Sequence, residues 1–334
     1  MNLRKLFYLL LIIPIIFVGC SKDEGTPTDP TPSVNEAQVL AEYLEANGDF
    51  LNTGAPAIIA AADLRTAQLA GKAYIIDMRS ATDFETKGHI EGAKNVASKD
   101  IVAHVKGINA SSYEKIVIAC YTGQTAGLPV ALLRLLGYNN VFSLKWGMSS
   151  WNSTACTSWS MAAVGNNYPT FQTTANPKPA AGALPTISTG KKTGKEILEE
   201  RINQILASAD PFADIRVLHG TVTGNLSNYF ILNYWPAAEY NKGHIAGAIQ
   251  YTPKADLKLS TFLKTLPTNK PIAIYCYTGQ TSAQVATILK LMGYDAKTLM
   301  FGVNVLNYDF MGTNSIPSQW KQTEVKEYPV VTGK

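Results

Sequence analysis

Cys120-Tyr121-Thr122-Gly123-Gln124-Thr125 and Cys276-Tyr277-Thr278-Gly279-Gln280-Thr281 are the same hexapeptide, written twice in a chain of 334 residues. Each copy follows a short apolar run, 115–119 or 271–275, and precedes an apolar stretch with helical spacing, 126–136 or 282–292. Such runs read as buried strands and as helices. The pattern places a thiol at the end of a strand, inside a tight loop, with a helix N-terminus behind it. Backbone N–H groups and the positive end of a helix dipole favour a thiolate, so a lowered cysteine pKa is expected at both positions.

The repetition extends outward from the hexapeptide. Gly88-His89-Ile90-Glu91-Gly92-Ala93 recurs as Gly243-His244-Ile245-Ala246-Gly247-Ala248, and Leu136-Gly137-Tyr138 as Met292-Gly293-Tyr294. Leu144-Lys145-Trp146-Gly147 matches Met300-Phe301-Gly302 more loosely, and the offset stays at 155 or 156. A repeat this long is a duplicated domain rather than a solenoid unit. Runs 73–78, 115–119 and 140–144 read as strands, as do 229–233, 271–275 and 296–300. Gly137 and Gly293 close the helical stretches as left-handed C′ residues, and Pro129 falls in a first helical turn. Alternating strands and helices predict an α/β fold of two tandem domains, each a mainly parallel sheet flanked by helices. The expected bounds are 36–163 and 194–325, joined by a linker over 164–193 and followed by a tail over 326–334. Gly190-Lys191-Lys192-Thr193-Gly194-Lys195 lacks the spacing of a phosphate loop and is assigned to the linker end.

A formal charge of +4 with no basic stripe gives no footprint for nucleic acid. Arg4 and Lys5 precede an apolar run over 6–18, too short for a confident membrane span. That run closes on Gly19-Cys20 and resembles the lipobox of bacterial lipoproteins, although Phe17 stands where Leu is usual. The resemblance implies a signal peptide over 1–20, lipidation of Cys20, and a polar, Pro-rich tether over 21–35. Ser21 after the cysteine, and the acidic Lys22-Asp23-Glu24, point to a cell-envelope lipoprotein of the outer membrane. Three of the four cysteines remain in the body, with no Cys-x-x-Cys and four scattered histidines, so neither a metal site nor a cofactor is expected.

A loop curling around a cysteine sulfur makes an anion nest from its N–H groups. Such a thiolate can attack a sulfur atom, and the persulfide product is held by the same donors. Gly123 and Gly279 permit the backbone angles that the loop needs. Thr122, Thr125, Thr278 and Thr281 add hydroxyls.

Three motifs in order now resemble the rhodanese family of sulfurtransferases, in tandem form. They are Asp77-Met78-Arg79 after a strand, the Gly-His-Ile-x-Gly-Ala turn, and the six-residue loop begun by cysteine. The resemblance implies that Cys120 and Cys276 carry sulfane sulfur as a persulfide. The donor would be thiosulfate, polysulfide or persulfide, and the acceptor a thiol or cyanide. It further implies that Tyr121, Thr122, Gly123, Gln124 and Thr125, with Tyr277, Thr278, Gly279, Gln280 and Thr281, form the two cradles, and that Asp77 and Arg79 support the first. Phosphatases of this fold need Arg at the sixth position after cysteine; Ala126 and Ser282 stand there, which excludes them.

Two departures shape the expectation. The uncharged Tyr121, Thr122, Tyr277 and Thr278 withhold charge-assisted hydrogen bonds from a dianion, which counts against thiosulfate. Asn233 and Trp235 replace the Asp and Arg of the first copy, which makes Cys120 the expected principal site. His89 and His244 are expected to bond backbone rather than pair with cysteine. Cys156 is read as a packed residue, with a resolving thiol as its functional alternative. Rivals to sulfur transfer are a non-catalytic sulfane-sulfur-binding or redox-partner module of the envelope, and a thiol–disulfide exchanger using Cys156.

Overall fold

The computed structural model of the chain describes residues 35–161 and 163–334. The expected signal peptide, Cys20 and nearly all of the expected tether lie outside the described residues.

The longest apolar runs become the inner strands. In the first half these are β1 (Ile58–Ile59), β2 (Ala73–Asp77), β3 (Lys94–Asn95), β4 (Lys115–Ala119) and β5 (Val141–Leu144), in the order β1-β5-β4-β2-β3. The second half repeats it with β6 (Arg216–Val217), β7 (Phe230–Asn233), β8 (Ile249–Gln250), β9 (Ile272–Tyr275) and β10 (Ala296–Leu299), in the order β6-β10-β9-β7-β8. Every ladder is parallel. The central β4 and β9 are buried along almost their whole length, as strands covered on both faces must be. The α/β tandem architecture is therefore as the sequence predicts.

The helices that follow the hexapeptides, Gly127–Leu135 and Gln280–Leu291, pack against each other. Gly127 makes that approach possible: a Cβ there would meet the Ala283 Cβ at 2.9 Å. Their apolar side chains form one continuous core drawn from both halves, including Leu128, Leu132, Val285 and Leu289. Gly137 and Gly293 follow these helices at φ 92° and 100°, the left-handed geometry expected of them. The terminal helix of each half joins the same core. Glu36–Ala46 is capped by Asn35, and Gly194–Leu206 by a reciprocal Thr193–Glu196 capping box, which is the structural role of the Lys-rich segment before it.

Two segments revise the simple picture of linker and tail. Residues 165–176 run along the second half: Gly165 N donates to Asn304 O, Tyr168 N to Leu306 O, and Gln172 bridges His244. The C-terminal residues run likewise along the first half: Lys326 N donates to Ser150 O, Tyr328 N to Trp151 O, and Val331 bridges His89. Each half is thus strapped by chain that follows the other half's motifs. Trp146, Trp159 and Trp320 close the junction as a buried aromatic cluster, with Trp159 and Trp320 stacked at 5.6 Å.

Candidate active site: two cysteine loops

Cys120 ends β4 and Cys276 ends β9, so both thiols stand at the carboxyl edge of a parallel sheet, where α/β folds place their ligands. Around Cys120 the chain turns on Gly123 at φ 78°, and the N–H groups of Gly123 and Ala126 point at Sγ from 3.1 and 3.4 Å. Around Cys276, Gly279 turns at φ 76° and Ser282 N points at Sγ from 3.4 Å. The Cys276 thiol also donates to Ser282 Oγ at 3.5 Å. Two N–H groups thus converge on the Cys120 sulfur and one on the Cys276 sulfur.

The electrostatics of the first loop differ from the expectation. Burial pushes the Cys120 thiol up, while N–H groups of Ala126, Thr122 and Gly123 pull it down without overcoming burial. Desolvation of the charged form wins because the sulfur is almost wholly buried, at 1% exposure. The predicted lowering at Cys120 is corrected accordingly.

The loop side chains divide by task. Gln124 and Gln280 leave their own loops and cross to the opposite half. Gln124 Oε1 accepts from Phe301 N at 2.7 Å, and Gln280 Oε1 accepts from Trp146 N at 2.9 Å. They latch the halves together, and Gln280 also lines the cavity beside Cys276. Tyr121 Oη donates to Asp83 at 2.7 Å, and the Thr122 carbonyl accepts from Trp159 Nε1 at 2.9 Å. Thr278 Oγ1 accepts from Gln280 N at 3.2 Å, which stiffens the loop.

Asp77 and Arg79 form a buried ion pair at 2.7 Å. Arg79 Nη1 also donates to Ala155 O at 2.9 Å and Nη2 to Gly88 O at 2.7 Å. The pair ties the end of β2 to the Gly-His turn and to the segment after Trp151. In the second half Trp235 fills that space, stacking on Tyr277 at 5.2 Å and 16° and meeting Tyr275 edge-on at 5.5 Å. Tyr275 stands where the first half has Ala119, so the larger ring takes up the volume that the Arg network occupies there. Trp235 Nε1 is left buried without a partner, and the buried Asn233 amide lies beside the Tyr275 hydroxyl. The second loop is therefore buttressed by aromatic packing, and the loss of Asp and Arg does not dismantle it.

His89 and His244 bond backbone, with Nδ1 at 2.9 Å from Phe84 O and from Tyr240 O respectively. Cys156 is a free, packed thiol 3.2 Å from Ser149 Oγ; Cys120 and Cys276 are free as well. Among the described residues no cluster of three or more His, Cys, Asp or Glu is placed to hold a metal.

The largest difference between the two sites lies in what surrounds them. Cys276 lines a cavity of about 340 Å³ whose walls come from both halves: Tyr277, Thr278 and Thr281 on one side, Pro56, Ile58 and Lys145 on the other, with Tyr234 and Pro236 at its edge. Both cysteines are 1% exposed, so the cavity is a feature of the surroundings of Cys276 and not of the exposure of its thiol. Lys145 and Tyr234 are site residues that sequence reasoning missed. The signal for Lys145 was the mismatch within the repeat, where Lys145 answers to Met300.

Comparison with known proteins agrees with this geometry. The rhodanese-like domain family model matches residues 60–154 and 224–309. The thiosulfate sulfurtransferase GlpE of Shewanella oneidensis is 33% identical over 78 residues, 23% of this chain and 74% of that protein. GlpE of Pseudomonas fluorescens is 28% identical over 82 residues, 25% of this chain and 72% of that protein. Among solved structures, thiosulfate sulfurtransferase from Pseudomonas aeruginosa is similar over 90% of this chain and 49% of its own, at 16% identity and a TM-score of 0.29. The human single domain sulfurtransferase TSTD1 covers 27% of this chain and 89% of its own, at 23% identity and a TM-score of 0.23. The chain belongs to the rhodanese-like family, and it carries the family's domain twice, in tandem.

Proposed function

We propose that the protein is a sulfurtransferase that carries sulfane sulfur as a cysteine persulfide, chiefly on Cys276 and also on Cys120. The observation that carries this reading is the placement of Cys276 Sγ beneath the Ser282 N–H, on the wall of a 340 Å³ cavity. In the forward half-reaction the Cys276 thiolate attacks the terminal sulfur of a donor. A new S–S bond forms, the donor's S–S bond breaks, and the leaving group departs with the electron pair, sulfite in the case of thiosulfate. The persulfide is anionic and faces the same Ser282 N–H. A thiol or cyanide then attacks the outer sulfur, and the cysteine leaves as thiolate, ready for another turn. Family membership supports the reaction class; the donor (thiosulfate, polysulfide or persulfide) and the acceptor are part of the proposal.

A second reading is favoured for the first half by one observation. Burial pushes the Cys120 thiol up, which suits a site that holds sulfur or docks a redox partner. The proposal also keeps the protein in the cell envelope, anchored to the outer membrane through a lipid on Cys20. Thiocyanate formation from cyanide, with thiosulfate or polysulfide as donor, tests the transfer. Cys276→Ser should abolish most of it and Cys120→Ser little, whereas full activity in the double variant would refute it.

A further inference from the structure

Lys145 belongs to the first half by sequence and to the second half's site by position. It is the one charged side chain on the wall of the Cys276 cavity, which holds no carboxylate. Among the described residues it takes part in no ion pair. Its Nζ rests 5.3 Å from the centroid of the Trp146 ring. A half-buried ammonium with no counter-ion, beside an apolar wall, attracts an anion.

The backbone around Lys145 is fixed to the very loop that it faces. Lys145 N donates to Ile59 O at 2.8 Å, and Ser150 Oγ donates to Lys145 O at 2.7 Å. The next residue, Trp146, sits at φ 63° and gives its N–H to Gln280 Oε1, inside the Cys276 hexapeptide. The latch that joins the halves therefore also sets the lysine on the wall of the cavity that Cys276 lines. The pseudo-symmetric arrangement puts Met300 beside Phe301, whose N–H goes to Gln124 of the Cys120 loop. The residue that answers to Lys145 in the other copy is thus uncharged.

We propose that Lys145 is a specificity-determining residue supplied across the cleft, and that it makes the Cys276 site selective for compact anionic sulfur compounds. This rests on the sulfur-transfer reading of Cys276 for its substrate, but its charge logic is testable without turnover. The hexapeptide has no cation of its own, and the missing charge comes from the other half of the chain. Thiosulfate is thereby restored as a donor for this site.

The test uses the full chain with Cys120→Ser, so that the second site is followed alone. Cys276 is alkylated with iodoacetate, an anion, or with iodoacetamide, its neutral counterpart, and labelling of the Cys276 peptide is timed by mass spectrometry. Lys145→Met, which installs the residue of the other copy, should lower the iodoacetate-to-iodoacetamide rate ratio by about tenfold, the scale of one charge-assisted contact. Lys145→Arg should keep the ratio. An unchanged ratio in Lys145→Met, or no labelling of Cys276 by either reagent, overturns the proposal. In parallel, KM for thiosulfate should rise in Lys145→Met with a smaller change in kcat. Absence of transfer in every variant, with the alkylation ratio shifted as expected, would remove the sulfurtransferase reading and leave the anion site standing.

Discussion

Replacing Arg79 by Met tests whether the Asp77–Arg79 pair is a structural tie or part of the sulfur chemistry. Arg79 binds the Asp77 carboxylate through Nε and Nη2, and two backbone carbonyls through Nη1 and Nη2. Both side chains are essentially without solvent, at 0% and 1% side-chain exposure. Removing the guanidinium strands a buried carboxylate and two carbonyls. Breaking such a pair costs about 3–5 kcal/mol, a large share of the roughly 5–15 kcal/mol that holds a domain folded. Urea unfolding followed by tryptophan fluorescence reads the loss directly, because Trp151 lies in the core beside the Ala155 segment that Arg79 grips. The double variant Asp77→Leu/Arg79→Met removes both charges and should recover most of the stability, since an apolar pair leaves no stranded ion. Sulfur loading of Cys276 should persist in the folded fraction of both. A single-variant cost below about 1 kcal/mol, or a double variant worse than the single, would refute the tie; the first outcome is what a solvated surface pair gives.

Three further outcomes follow from the same coordinates. Cys120 has a thiol raised by burial, so the folded state binds that proton more tightly than the unfolded chain does. Its contribution to stability is whole below the unfolded thiol pKa of about 8.5 and is lost as pH climbs toward the folded value. Cys120 alkylation should accelerate steeply over that alkaline window, and a flat profile from neutral pH upward would contradict it. Gln280→Ala leaves Trp146 N–H buried and unpaired, which should cost about 1–3 kcal/mol in urea unfolding and speed hydrogen exchange at Trp146; an unchanged midpoint would count against the latch. Ending the chain after Val325 removes the backbone bonds from Lys326, Tyr328, Val331 and Gly333 to the first half. At about 1 kcal/mol each this should destabilise that half by roughly 3–4 kcal/mol, and selective exposure of 81–95 to proteolysis would report it.

How much of this was legible in the sequence depends on where the information resides. Strands β2, β4, β7 and β9 are mainly apolar runs, β5 and β10 carry polar residues among apolar ones, and the structure sets the ends of all six within a residue or so of the sequence expectation. The two-residue edge strands left no such trace: Lys94 and Asn95 of β3 are both exposed and carry no pattern. The straps over 165–176 and 326–333 were also hidden, because they bind through backbone in Asn-, Pro- and Thr-rich segments with no periodicity. The cysteines and their glycine turns were legible because a tight loop at a strand end is a local geometry. Lys145 was not, because its membership of the Cys276 site depends on how the two halves meet. The packing of Trp235 against Tyr275 and Tyr277 is hidden for the same reason, being visible only in three dimensions.

The central claim is that Cys276 becomes a persulfide. The direct measurement is intact-mass and peptide-level mass spectrometry of the full chain after treatment with thiosulfate or polysulfide, before and after cyanide. The account predicts one added sulfur atom on the Cys276 peptide, lost again as thiocyanate on adding cyanide, and absent in Cys276→Ser. A protein that takes up no sulfur at Cys276 from either donor, while remaining folded, would contradict it.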